Sequence, residues 1–65
     1  MPTSTALLDT YARITSILGF GLHSDAALRK EAGATWRDIY ALTDAGLIRC
    51  ERVLGDSLIY RLFFP

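Results

Sequence analysis

Leu42-Thr43-Asp44-Ala45-Gly46-Leu47-Ile48 decides the fold. Just upstream, Ile39 and Leu42 stand at helical spacing, and just downstream apolar and polar residues alternate as they do in strands. A helix therefore ends at Gly46, where glycine takes the left-handed backbone at no steric cost. A β-hairpin begins at once, with strands expected over Leu47 to Leu54 and Leu58 to Phe64. Turn length sets the hairpin register, and register decides which side chains share a face. A two-residue turn at Gly55-Asp56 would oppose Ile48 to Phe63 but Cys50 to Arg61, mixing apolar and charged partners. A three-residue loop, Gly55-Asp56-Ser57, pairs Leu54 with Leu58, Arg52 with Tyr60, Cys50 with Leu62 and Ile48 with Phe64. It leaves Val53 with Ile59 and Glu51 with Arg61 on the other face. The second register is the more self-consistent and is the one expected. It turns Cys50 inward as a small hydrophobe and makes Arg52 and Tyr60 a cation–π pair.

Working back from Gly46, Thr35-Trp36-Arg37-Asp38 reads as a capping box. The Thr35 hydroxyl accepts from the Asp38 amide, and the Asp38 carboxylate reaches back. The helix so started runs to about Ala45, with Ile39 and Leu42 in the core and Trp36 half-buried one turn earlier. Gly33-Ala34 is a turn. Before it, Ser24 caps a short helix over about Asp25 to Ala32, with Asp25 favourable in the first turn and Leu28 and Ala32 facing inward. The first helix spans about Ser4 to Leu18, capped by Thr3 or Ser4. Its apolar stripe is Leu7, Tyr11, Ile14 and Leu18, and Gly19 and Gly21 end it. Phe20 to Leu22 is then a short extended bridge, the place for a minor third strand.

The chain of 65 residues makes one small domain, burying only about 60% of its unfolded surface. Seven basic and seven acidic residues cancel and alternate along the chain, so any cationic face is small. Cys50 is the single cysteine, which excludes an internal disulfide and a multi-cysteine metal site and fits a reducing, cytoplasmic setting. No signal peptide or membrane span is legible. One histidine, one cysteine, no phosphate-binding glycine loop and no triad spacing leave no expected catalytic residue, metal, cofactor or small-molecule ligand. His23 reads as a surface loop residue, and Tyr11 and Tyr60 as packing residues whose hydroxyls reach the rim.

Leu28, Gly33, Ile39, Leu42, Gly46-Leu47-Ile48 and the hairpin with Gly55 at its tip together resemble the winged helix-turn-helix superfamily of small bacterial, archaeal, phage and plasmid regulators. The resemblance covers nearly the whole chain. It implies an α+β domain of three helices followed by a C-terminal wing. One departure is that Leu28 to Gly46 is about a helical turn shorter than usual, which shortens either the second helix or the recognition helix. The resemblance implies that the helix over 35–45 enters the major groove of double-stranded DNA, as in a small transcriptional regulator. Its outward positions are Arg37, Asp38, Ala41 and Asp44, with Thr35 and Tyr40 at the edges. Arg37 would bond a guanine edge, worth about 1–3 kcal/mol of discrimination, and Thr35 a phosphate or thymine methyl. Phosphates would fall to Arg29, Lys30, Arg49, Arg52 and Arg61. A monomer would make no more than about three or four such contacts, so useful affinity calls for a dimer on two half-sites.

A second function fits the neutral charge. The same architecture serves protein binding, as in small phage- or plasmid-encoded inhibitors of a host nucleic-acid machine such as a CRISPR effector. Val53, Ile59 and Phe63, expected on one outer face, and the acids Asp38 and Asp44 would form that surface. The terminal phenylalanines leave three options: Phe64 fills the core, Phe63 packs on the first helix, or both build a subunit interface. The shared face with Val53 and Ile59 favours an interface, most simply that of a two-fold dimer.

Overall fold

A computed structural model describes residues 5–63. It contains helix α1 (Thr5–Leu18), strand β1 (Gly21–Ser24), a π-helical segment (Ala27–Glu31), helix α2 (Trp36–Asp44) and strands β2 (Ile48–Leu54) and β3 (Ser57–Leu62). The strands form one antiparallel sheet in the order β1-β3-β2. The fold is thus α+β, with helices packed on one face of a three-stranded sheet. Thr3 and Ser4, the expected caps, and Phe64, expected opposite Ile48 and either in the core or at a subunit interface, lie outside the described residues.

The core follows the apolar stripes. Tyr11 and Ile14 of α1, Leu28 of the π-helical segment, and Ile39 and Leu42 of α2 meet Ile48, Tyr60 and Leu62 of the sheet. Ile14 and Ile39 are wholly excluded from solvent. The Tyr11 hydroxyl donates to the carbonyl of Phe63, tying α1 to the end of β3.

The second helix departs from expectation. Ser24 does cap it, its Oγ accepting from the Ala27 amide at 3.1 Å. Its later turn is π rather than α: the Ala32 amide reaches back five residues to the Ala27 carbonyl at 3.2 Å. The widened turn keeps Leu28 and Ala32 in the core while Asp25 stays anchored to the sheet. That anchor is a buried carboxylate. Asp25 Oδ1 accepts from the Leu58 amide at 3.0 Å, one position beyond the last β1–β3 pair, Ser24↔Ile59. A side-chain oxygen thus stands where the next strand carbonyl would be.

Helix α2 begins and ends as the sequence predicts. Thr35 Oγ1 accepts from the Asp38 amide and Asp38 Oδ2 accepts from the Thr35 amide, both at 3.1 Å. At the other end Gly46 has φ +78°, the Gly46 amide donates to the Thr43 carbonyl, and the Leu47 amide donates to the Leu42 carbonyl, each at 3.0 Å. This is a Schellman closure, so the last turn's carbonyls are satisfied before β2 starts.

The hairpin register corrects the expected one. The turn holds two residues, with positive φ at Gly55 alone, the type II′ pattern. Near the tip Leu54 opposes Ser57, Val53 opposes Leu58 and Arg52 opposes Ile59. A bulge at Glu51 then shifts the ladder, so that Cys50 opposes Tyr60, Arg49 opposes Arg61 and Ile48 opposes Leu62. Val53 therefore shares a face with Leu58 rather than Ile59, and the Arg52–Tyr60 pair does not form. Cys50 is exposed rather than inward, because β2 leaves the core after Ile48. His23 lies in β1 rather than a loop, opposite Tyr60, with Nε2 3.0 Å from the Gly19 carbonyl oxygen.

Candidate nucleic-acid interface

Helix α2 and the π-helical segment share one polar face. Trp36 and Tyr40, one turn apart on α2, stack with ring centroids 5.8 Å apart and planes inclined by 28°. The Arg29 guanidinium lies 5.1 Å from the Trp36 ring centroid. Arg29 also approaches Asp25 Oδ2 at 3.4 Å. It is thereby held between a buried carboxylate and an indole, which fixes Trp36 as a half-buried strut. Tyr40 is the outer member of the stack, 62% exposed.

The predicted DNA-contact residues divide into two groups. Lys30, Arg37 and Arg52 make no ion pair among the described residues, and all three are exposed. Arg37 stands in the first turn of the capped α2, three residues before Tyr40. Arg29 and Arg49 are already engaged. Arg49 Nη2 and Arg61 Nε both donate to Glu51 Oε1 at 2.7 Å, and the Arg49 guanidinium lies 5.4 Å from the Phe63 ring centroid. The Thr35 hydroxyl is occupied as an acceptor in the cap and keeps its proton to donate.

The residues assigned to a protein interface do not form one patch. Val53 is 64% exposed and lies on the opposite face of the hairpin from Ile59. Phe63 is half-buried, its amide donating to the Leu47 carbonyl at 3.3 Å. Asp38 is consumed by the capping box, whereas Asp44 is exposed without an ion pair among the described residues.

The outer face of the sheet carries what the sequence reading missed. Arg49, Arg61 and Glu51 join Arg52, Leu22, Leu54 and Ile59 around a shallow groove of about 650 Å³. The hydrogen bonds from Arg61 and then Arg49 hold the Glu51 carboxyl down at about 2. The Glu51–Arg61 pair was legible as a cross-strand opposite-charge pair. The presence of Arg52 and Leu54 on the same face was not, because it depends on the bulge.

No cluster of His, Cys, Asp or Glu among the described residues could hold a metal ion. No helix among them is long and apolar enough to cross a membrane. No protein family, curated protein or solved structure matches the chain.

Proposed function

We propose that the chain is a winged-helix domain that binds double-stranded DNA as a small transcriptional regulator, with α2 in the major groove and the β2–β3 hairpin as the wing. The order helix, strand, short helix, helix, hairpin and the strand order β1-β3-β2 suit that layout. The shortened stretch between Leu28 and Gly46 falls on the second helix, which leaves α2 its nine residues, about 13 Å of helix. The observation that carries the reading is Arg37. It is exposed, free of any carboxylate partner among the described residues and mounted on a helix whose two ends are both capped, so its fork is presented from a rigid base. Tyr40, three residues further along the same helix, is also exposed.

The test is a gel-shift assay on a duplex selected by this protein from a random pool. Arg37→Ala should weaken binding by about tenfold or more, the loss of one bidentate base contact. The affinity should fall gently with salt, as about three or four phosphate contacts require. Failure to retain any duplex at low salt ends the proposal.

A further inference from the structure

The outer face of the sheet is chemically unlike the α2 face, and it faces away from the core. Its floor is aliphatic: Leu22 is 51% and Leu54 55% exposed, with Ile59 between them on the central strand. Its walls carry three guanidinium groups, on Arg49, Arg52 and Arg61, against the one carboxylate of Glu51. The difference, three minus one, leaves two positive charges over an apolar floor in a domain whose total charge is zero.

The arginines are already arranged around a carboxylate. Two of them converge on a single oxygen, Glu51 Oε1, each at 2.7 Å. Among the described residues no ion pair takes Arg52, and the other N–H groups of Arg49 and Arg61 point to an incoming acceptor. The groove is lined by no Phe, Tyr or Trp ring, so it offers none of the stacking platforms on which proteins hold unpaired bases. The β2 edge is broken by its bulge, which disfavours a partner that adds a strand to that edge. Side-chain docking across the face is the mode that remains.

We propose that this face docks an extended acidic segment of a partner protein, its carboxylates taken by Arg52, Arg61 and Arg49 and its aliphatic side chains laid over Ile59 between Leu22 and Leu54. The inference does not rest on the DNA reading: the site lies off α2, and it gives to a protein the arginines Arg49, Arg52 and Arg61 that the sequence alone assigns to phosphates. A DNA-bound regulator would thereby hold a second protein on its far side.

The experiment is fluorescence polarisation with a labelled short peptide in which Leu and Ile are set among Asp and Glu. Three further probes are a Lys counterpart, an all-polar acidic counterpart with Ser in place of Leu and Ile, and an oligothymidylate. The acidic–aliphatic peptide should bind saturably and the others at least about tenfold more weakly, the loss of one well-placed charge or apolar contact. Arg52→Glu and Leu22→Glu, both at exposed positions, should each weaken that peptide by a similar factor while leaving the circular dichroism spectrum unchanged. Arg37→Ala should leave it bound as before, which separates this surface from the DNA reading. Wild-type affinity in both groove variants overturns the proposal. So does equal binding of the all-polar acidic peptide or of the oligothymidylate.

Discussion

The two strands of the C-terminal hairpin are close in length and share one turn, yet they do opposite work. Strand β3 is central, hydrogen-bonded on both sides, and it buries Tyr60 and Leu62. Strand β2 is an edge that buries only Ile48 and exposes every residue from Arg49 to Leu54. Position in the sheet makes the difference. A central strand receives the helices on its inner face, whereas an edge strand that runs past them has nothing to pack on. One strand holds the domain together and the other displays charge, so stability and recognition are borne by different residues of the same hairpin.

Substitutions test that division most sharply at its extremes. Leu62→Ala should cost about 2–5 kcal/mol by the usual cavity penalty, enough to unfold a domain this small, as read by urea denaturation. Leu54→Ala on β2 should stay within about 0.5 kcal/mol in the same assay. Comparable losses at both sites would erase the contrast.

A smaller effect concerns how β3 is tied to the helices. Asp25→Ala leaves the Leu58 amide without its acceptor and should cost about 1–3 kcal/mol. Asp25→Asn keeps an oxygen in place and should recover most of the loss, although the Arg29 pair goes. An Asn variant as damaged as the Ala variant would show that charge, rather than the acceptor, matters at this site.

The least effect is expected on β2, and it disappears in acid. The Glu51 carboxyl sits at about 2 in the folded chain against an ordinary 4.5. A depressed value means that its contribution is present above about 4.5 and is lost as pH falls through 2. Glu51→Gln should therefore be slightly less stable than the wild type at neutral pH, with the difference vanishing as pH falls through about 2. Because the pair is open to solvent, added salt should shrink the effect. A large loss of stability at pH 7 would place Glu51 among the residues that hold the fold.

Most of the architecture was legible because it rests on local chemistry. Thr35 with Asp38 and the helix stop at Gly46 are written in adjacent residues, and the stripes through Ile14, Leu28, Ile39 and Leu42 are periodic. Three features were not legible, because each depends on contacts distant in the chain. The π turn depends on Asp25 being held by Leu58, a contact 33 residues away. The exposure of Cys50 depends on where the helices stop covering β2, which no strand pattern reveals. The sequence offers two uninterrupted ladders, and the chain uses neither. It takes the short turn at the tip and a shifted ladder toward the core, with one extra residue reconciling them. Of the site, the identity of the cations was readable, but which were free was not. Arg29 and Arg49 look like Arg37 and Arg52 until their partners are seen.

The extra residue at Glu51 has a consequence for how this hairpin can change. In an unbroken strand, positions 49, 51 and 53 would look outward and 52 and 54 toward the helices. The interruption resets that alternation, so 49, 51, 52 and 54 all look outward and 53 does not. Deleting Glu51 would leave Arg52 and Leu54 outward, whereas closing the bulge with every residue kept would act like a frameshift confined to the tip. It would turn Arg52 and Leu54 under the domain and bring Val53 out, replacing a charged display with a greasy one while the core pairing of Ile48 and Leu62 stood untouched.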